Sequence, residues 1–160
     1  MNFEAARTQM LGQQIRAWDV LDDRVLRALR ETPRELFVPE SYRDLAFADA
    51  EIPLGHDQAM LAPKIEGRVL QALRAEPIDD ALLVGTGSGF LTACLSRLAK
   101  QVLSVDIVSD FVAAARSRLD AQEIGNVTLE VADALEIAHP GRFDVIAVTG
   151  SVPEIGRAHV

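Results

Sequence analysis

The chain of 160 residues has a single cysteine, Cys94, so no disulfide within the chain can hold its fold together. Disulfide frameworks belong to oxidising compartments, and one cysteine therefore favours a reducing one. We expect Cys94 to be a small buried apolar residue. The three histidines are widely scattered and form no ligand set with zinc spacing. No metal site is predicted.

Long apolar runs and an excess of positive charge are missing too. No run approaches the roughly 18 residues that a membrane span needs. The N-terminus lacks the basic and then apolar segments of a secretory signal. With 24 acidic and 16 basic residues the net charge is −8, which argues against general nucleic-acid binding. Hydrophobic residues make up 49% of a chain of one domain's length, so we expect a soluble, cytoplasmic domain with no nucleic-acid or membrane partner.

The chain divides near residue 77 into two parts of different character. In residues 1–76, apolar residues recur at helical spacing and prolines interrupt the pattern. Residues 33–63 show no regular period but keep large apolar side chains, so we expect an irregular segment that packs and shapes a site. The predicted helices of this N-terminal helical and loop region cover residues 3–16, 22–32 and 63–73.

Residues 77–154 alternate short β-branched runs with amphipathic stretches, a pattern typical of βαβ units. The first strand is fully apolar, as in a parallel sheet covered on both faces. We therefore expect a Rossmann-like, doubly wound α/β sheet. The fourth strand is apolar on both faces and no further strand follows it, so the sheet is predicted to be incomplete. The predicted strands cover residues 81–84, 101–105, 127–131 and 143–148.

A glycine-rich segment, Gly85-Thr86-Gly87-Ser88-Gly89, follows the first strand directly. Glycines allow a tight turn and a close approach of a ligand, and the next helix offers unpaired N–H groups to an anion. The dinucleotide spacing G-x-G-x-x-G would place its third glycine where Phe90 stands. The spacing therefore favours S-adenosylmethionine. A purely structural glycine turn remains an alternative, and Phe90 disfavours a nicotinamide-dependent dehydrogenase.

Two acidic residues follow the next two strands. Asp106 ends the second strand, about twenty residues past the glycines, where a carboxylate accepts hydrogen bonds from ribose hydroxyls. Asp133 follows the third strand and is assigned to an adenine amino group, with a helix N-cap as the alternative. The predicted cofactor site comprises Gly85, Thr86, Gly87, Ser88, Gly89, Asp106, Ile107, Asp133 and Ala134.

Motifs in the N-terminal part accompany the glycine-rich segment. They are Gln13-Gln14-Ile15-Arg16, Pro33-Arg34, Phe37-Val38-Pro39-Glu40, Ala46-Phe47-Ala48-Asp49 and Pro53-Leu54-Gly55-His56, with Val148-Thr149-Gly150 in the second part. With these motifs the chain resembles the protein-L-isoaspartate O-methyltransferase family, from about Phe3 to Pro153. The resemblance implies a class I S-adenosylmethionine-dependent methyltransferase that acts as a monomer on damaged proteins and methylates the α-carboxyl of L-isoaspartyl residues.

The chemistry implied by the resemblance needs little acid–base help. A carboxylate is already ionised near neutral pH, so no general base has to make it a nucleophile. Methyl transfer to this carboxylate gives a methyl ester. The ester then cyclises to a succinimide, which can reopen as normal aspartate. The protein's task is to position the carboxylate in line with the methyl group and to exclude water.

The segment that matches the family's substrate loop departs from the family pattern. The positions assigned to it are Gly55, His56, Gln58, Ala59 and Leu61. Ala59 and Leu61 stand where the family has threonine and a serine usually held to be catalytic, so the catalytic residue is left unassigned. Leu83 stands where the family usually has an acid. These departures keep two alternatives open: a methyltransferase for a different acceptor, and a cofactor-binding homologue without catalysis.

The resemblance ends abruptly after Pro153 or Glu154. Residues 155–160 correspond to what a common sequencing-adapter sequence would encode, and we expect them to be an artefactual tail on a truncated gene product. The predicted organisation is an N-terminal helical and substrate-loop region (1–76), a truncated S-adenosylmethionine-binding α/β core (77–154) and this tail (155–160).

Overall fold

The N-terminal helices lie close to their predicted positions in the computed structural model, which describes residues 1–136 and 141–150. Helix α1 covers Phe3–Met10, and its path continues through a π turn at Leu11–Ile15 and a 3-10 turn at Arg16–Trp18. Helix α2 covers Asp23–Glu31. The predicted N-cap is confirmed, because the Asp22 side chain accepts hydrogen bonds from the first-turn amides.

The segment predicted to be irregular contains a β-hairpin that the sequence pattern missed. Strands β1 (Ile52–Gly55) and β2 (Gln58–Met60) pair antiparallel, and we call residues 52–60 the hairpin. Its two turn residues, His56 and Asp57, have φ values of +53° and +55°. Neither is the glycine that usually marks such a turn, and the short strands show no clear alternation, so the sequence carried no signal for the hairpin. Helix α3 (Pro63–Leu73) follows and begins at its proline.

The second part forms the expected parallel sheet. Its elements are β3 (Asp80–Val84), α4 (Phe90–Ser96), β4 (Gln101–Asp106), α5 (Ser109–Ala121), β5 (Val127–Val131) and β6 (Val145–Val148). The strand order is β5-β4-β3-β6, with every pair parallel. The chain steps from β3 to β4 and β5 on one side and reaches β6 on the other side of β3. The carboxyl end of β3 is therefore the switch point at which such sheets bind ligands.

A hydroxyl cluster lies within the second part, and an apolar core joins the two parts. Ser104 of β4 lies 2.7 Å from Thr86 Oγ1 and 2.9 Å from Thr92 Oγ1, so these buried hydroxyls satisfy one another. One hydrophobic cluster includes residues of α1, α2, the hairpin and the sheet. Cys94 is fully buried in it, as expected, and burial raises the pKa of its thiol to about 12.

Strand β6 lies at the edge of the described sheet. Its Ile146 and Val148 side chains are 54% and 60% exposed, consistent with the expected apolar edge. In residues 1–136 and 141–150, no helix is long and apolar enough to span a membrane. The predicted tail, residues 155–160, lies outside the described residues.

Candidate functional site

The glycine loop (residues 85–89) turns the chain sharply from β3 into α4. Gly85 and Gly89 have φ values of +103° and +89°, where side chains are rarely tolerated. A Cβ at Gly85 would overlap Thr149 Oγ1, and one at Gly89 would lie 2.9 Å from Ala115 Cβ in α5. Both positions therefore need glycine for close packing against neighbouring elements as well as for the turn.

Thr149, directly after β6, holds the start of the glycine loop. Its Oγ1 lies 3.0 Å and 3.1 Å from the carbonyl oxygens of Val84 and Gly85, and its N–H donates to Val84 at 2.9 Å. Composition and periodicity did not single out this residue. Its place at the end of a strand in the family-like segment Val148-Thr149-Gly150 was the available signal.

Asp106 ties the middle of the glycine loop to the end of β4. Its Oδ2 accepts the Gly87 N–H at 3.0 Å, and its Oδ1 accepts the Val108 N–H at 3.0 Å. Each carboxylate oxygen can accept a second hydrogen bond. The half-buried carboxylate therefore combines a structural role with free acceptor capacity on the side where a ribose is expected.

The two hydroxyl side chains of the glycine loop point into the protein. Thr86 is 3% exposed and bonds within the hydroxyl cluster, while Ser88 is 5% exposed and its Oγ accepts the Phe90 N–H at 3.2 Å. From α5, Arg118 donates to the Ser88 carbonyl at 2.8 Å, and burial lowers the pKa of its guanidinium. These residues shape the loop, so they can offer a ligand only backbone groups.

The remaining residues predicted to bind cofactor lie at the same edge of the sheet. The Ala132 N–H donates to the Asp106 carbonyl at 3.0 Å, which brings the following Asp133 and Ala134 beside the end of β4. Asp133 Oδ1 accepts the Leu135 N–H at 2.9 Å, so this carboxylate begins a turn at residues 134–136 rather than the helix of the capping alternative. Ile107 is 71% exposed and presents an apolar surface next to Asp106.

The hairpin lies over this edge of the sheet. A Cβ at Gly87 would lie 3.5 Å from Leu54 Cδ1, so the first hairpin strand packs beside the middle of the glycine loop. At the hairpin turn, His56 Nε2 lies 3.1 Å from Asp110 Oδ2, and its ring meets Phe111 edge to face at 5.5 Å. The structure thus places the predicted substrate loop against the predicted cofactor loop and the start of α5.

The other substrate-loop positions offer no side-chain acid or base. Gly55, Gln58 and Ala59 are exposed, and Leu61 is half-buried at the point where the chain leaves the hairpin. Leu83 is fully buried in β3, so it contributes to the core rather than to a polar site. In the described ranges 1–136 and 141–150, no group of three potential metal ligands lies together.

A switch-point glycine loop, an acid that ends the neighbouring strand and a loop packed over both are the features of a Rossmann-like methyltransferase. Structures of such enzymes share the fold. A Plasmodium falciparum structure assigned to the protein-L-isoaspartate O-methyltransferases and solved with S-adenosyl-L-homocysteine aligns with TM-score 0.80 at 20% identity. The alignment covers 98% of this chain and 77% of that one. A tRNA (m1A58) methyltransferase from Aquifex aeolicus aligns over 61% of this chain with TM-score 0.53 at 27% identity, covering 40% of that chain.

The chain belongs to the protein-L-isoaspartate(D-aspartate) O-methyltransferase family, whose sequence model matches residues 5–160. A protein-L-isoaspartate O-methyltransferase of Rhodopseudomonas palustris is 36% identical over 155 residues, which are 96% of this chain and 63% of that protein. One from Anaeromyxobacter is 37% identical over 147 residues, which are 91% of this chain and 69% of that protein. The chain therefore spans about two thirds of the length of these relatives.

Proposed function

We propose that this chain carries the methyl-transfer site of a protein-repair enzyme, which methylates the α-carboxyl of L-isoaspartyl residues in damaged proteins with S-adenosylmethionine as the donor. One observation carries the proposal. The hairpin with the predicted substrate residues packs through Leu54 beside Gly87, and the Gly87 amide is itself bound to Asp106. Membership of the family supports the same reaction.

The residues present fit the donor. Asp106 has acceptor capacity for ribose hydroxyls, and the exposed side chain of Ile107 beside it can pack on a purine ring. The glycine loop offers backbone groups without side chains in the way. The bond from the Ala132 N–H to the Asp106 carbonyl supports assigning Asp133 and Ala134 to the adenine amino group, and Asp133 also begins a turn. When bound, S-adenosylmethionine supplies a methyl group on a positively charged sulfur, which is activated for transfer.

The protein's own contribution is to place the carboxylate and keep water out. Since a carboxylate is ionised near neutral pH, the site needs no general base. The hydroxyls expected at the Ala59 and Leu61 positions are absent, so the acceptor must be oriented by backbone groups and by His56 or Gln58. Leu54 covers Gly87 and excludes water from that side of the loop.

A different acceptor is the second candidate. The observation that favours it is local: the side chains of Ala59 and Leu61 cannot hydrogen-bond a carboxylate, whereas the glycine loop and Asp106 assigned to the donor are present. This candidate keeps donor binding and changes the molecule that receives the methyl group. A third possibility, donor binding without turnover, differs only in the absence of product.

Transfer of a labelled methyl group from S-adenosylmethionine to an isoaspartyl peptide, with its normal aspartyl twin as control, tests the proposal. S-adenosyl-L-homocysteine binding by calorimetry first shows whether the site is formed in the sample. Labelling of the isoaspartyl peptide alone supports repair. Binding without labelling of either peptide contradicts it and favours the other two candidates.

Two finer expectations remain predictions from the sequence. We infer a monomer from the resemblance and a cytoplasmic location from the single buried cysteine. Analytical ultracentrifugation of the purified chain and fractionation of the source cells test them separately.

A further inference from the structure

A buried ion pair lies beneath the hairpin. Arg34 comes from the 3-10 turn Arg34–Leu36 and Glu66 from the first turn of α3, and they are 1% and 2% exposed. The guanidinium NH1 group donates to Glu66 Oε1. Two buried charges are costly to hold, so the pair must be matched by close hydrogen bonding. No step proposed above uses either residue.

The other nitrogens of Arg34 bind the two chain segments that flank the hairpin. Nε donates to the Ala46 carbonyl at 2.6 Å, on the segment that leads into β1. NH2 donates to the Leu61 carbonyl at 3.0 Å, on the residue that follows β2. A planar guanidinium presents its donors in a fixed fork, so one side chain sets the relative position of both segments.

The same guanidinium contacts the start of α4. Its Cζ lies 4.8 Å from the centre of the Phe90 ring, and Phe90 is the residue directly after the glycine loop. Phe90 is fully buried and also packs edge to face on Phe37 at 5.9 Å. The stack fixes Arg34 against the start of α4, next to the glycine loop, while its hydrogen bonds to carbonyls hold the base of the hairpin.

We propose that Arg34 is a positioning residue, which fixes the base of the hairpin against Phe90 and thereby sets how the hairpin lies over Gly87. Glu66 holds the guanidinium in place by accepting the hydrogen bond from its NH1 group. The expected effect of Arg34 on methyl transfer rests on the proposed function. The expected effect of Arg34 on hydrogen exchange in the hairpin does not depend on that function.

A second buried arginine provides a matched comparison. Arg7 is 8% exposed and donates to both carboxylate oxygens of Glu35 at 2.7 Å, and its Cζ lies 5.4 Å from the Phe47 ring. Arg7 therefore has a half-buried carboxylate partner and an aromatic neighbour, much as Arg34 does. Its side chain also donates to Glu4 in α1, so it contacts α1, the 3-10 turn that follows α2 and Phe47, but no residue of the hairpin itself.

The test compares Arg34→Lys with Arg7→Lys in the full chain. Lysine keeps the charge but loses the fork, so Arg34→Lys should free one or both carbonyls at the base of the hairpin. Amide hydrogen exchange of residues 54–60 should become about tenfold faster in Arg34→Lys, with the amides of β3 and β4 unchanged. Arg7→Lys should leave exchange in the hairpin at the wild-type rate.

Measurements of S-adenosyl-L-homocysteine binding and of methylation kinetics distinguish a positioning role of Arg34 from a general loss of folded structure. In Arg34→Lys the dissociation constant of S-adenosyl-L-homocysteine should rise less than about threefold, whereas the KM of the isoaspartyl peptide should rise about tenfold, with a smaller change in kcat. If the peptide is not methylated by the wild-type chain, the proposed function fails, but the exchange result still decides the inference.

Three outcomes would overturn the inference. Hairpin exchange could be equal in the two lysine variants, exchange could rise across the whole sheet, or weakening of S-adenosyl-L-homocysteine binding could match the rise in KM. If Arg34→Lys does not fold, Glu66→Gln takes its place. This variant removes only the counter-charge, and it should speed hairpin exchange by about threefold. Unchanged hairpin exchange in Glu66→Gln would then count against the inference.

Discussion

The glycine loop and the hairpin meet at Gly87 but are held in place in different ways. Side chains from β4, from the residue after β6 and from α5 bond the loop, namely Ser104, Asp106, Thr149 and Arg118. One buried guanidinium binds both segments at the base of the hairpin, which also packs into the hydrophobic core. The hairpin turn contacts α5 through an exposed pair of side chains and through the His56 ring, which packs on the buried Phe111. The glycine loop is therefore hydrogen-bonded by several elements, whereas both segments at the base of the hairpin are hydrogen-bonded by the same side chain, Arg34.

This difference suits the proposed function, in which the methyl donor is always the same molecule and the polypeptide acceptor varies. A donor of fixed shape is bound best by a preorganised loop, since rigid groups lose less freedom on binding. A polypeptide acceptor has to enter and leave, so an element with few anchors fits that side of the site. Substitutions at the loop and under the hairpin should therefore give different patterns of loss.

The largest loss of stability is expected for Arg34→Met, which leaves Glu66 buried without a partner. Removing one member of a buried pair costs about 3–5 kcal/mol of unfolding free energy. Urea unfolding measures the loss. The double variant Arg34→Met/Glu66→Met should recover most of it, because apolar side chains can replace a buried pair. Hairpin exchange should stay fast in the double variant, since the carbonyl bonds are not restored.

The loss in Arg34→Met should depend on pH. Burial raises the pKa of Glu66 above its ordinary value of 4.5 and Arg34 opposes this effect, so removing Arg34 raises the pKa further. A carboxyl with a raised folded pKa contributes full stability below its unfolded pKa and loses it as pH rises through the folded pKa. The deficit against wild type should therefore be smaller near pH 4.5 than at pH 7.5. An equal deficit at both values would contradict this prediction.

The next largest effect is expected for Gly89→Ala, on the donor side. The φ of +89° and the 2.9 Å approach to Ala115 Cβ strain any side chain there, at a cost of about 1–3 kcal/mol. Gly125→Ala is the control, because no atom lies within 4 Å of its added Cβ. Binding of S-adenosyl-L-homocysteine should weaken only in Gly89→Ala.

The labelling rate of the Cys94 thiol, in α4, provides a second measurement of the effect of Gly89→Ala. Its thiol pKa of about 12 keeps it protonated and buried at pH 8, so a disulfide reagent should label it slowly in the wild-type chain. Faster labelling in Gly89→Ala than in Gly125→Ala is expected, because strain at the loop opens α4. Equal labelling rates would show that the loop absorbs the strain locally.

A smaller effect is expected for Thr149→Val, which removes one of the anchors of the glycine loop. The lost hydroxyl contacts to Val84 and Gly85 should cost about 1 kcal/mol and weaken S-adenosyl-L-homocysteine binding about fivefold. The exposed Thr128→Val serves as the control. Because Asp106 and Arg118 still brace the loop, hairpin exchange should not change, and a change there would break the contrast between the two regions.

The smallest effect is expected for His56→Ala at the hairpin turn. The side chains of His56 and Asp110 are 51% and 78% exposed, and exposed pairs contribute little, so the KM of the isoaspartyl peptide should change less than about threefold. A double-mutant cycle with Asp110→Ala isolates the contact between the two side chains. A large coupling would show that the hairpin has a second important anchor.

The elements that could be predicted were those with strong local patterns. The strand at 127–131 was predicted with its observed bounds, and the one at 143–148 lost only two residues at its start. Apolar β-branched runs fit a parallel sheet wherever they occur, so their assignment did not depend on distant partners. The glycine loop was equally readable, because its required backbone angles restrict the residue type.

The hairpin could not be predicted, because its reason for existing lies elsewhere in the chain. Its turn uses His56 and Asp57 at positive φ, and its base is tied to Arg34, 27 residues before Leu61. A local pattern contains neither relation. Asp133 is a different case, because the sequence left two roles open and the structure shows a local bond to the Leu135 amide, two residues further on.

The sequence alone determined the order of strands and helices outside the hairpin, the position of the glycine loop and the family to which its motifs point. Those features follow from short-range chemistry, namely side-chain periodicity and the angles that glycine permits. Only the tertiary structure decided that Asp106 and Thr149 brace the loop and that Arg34 anchors the hairpin. Each of these contacts joins residues far apart in sequence, and only the folded chain brings their donors and acceptors within hydrogen-bond distance.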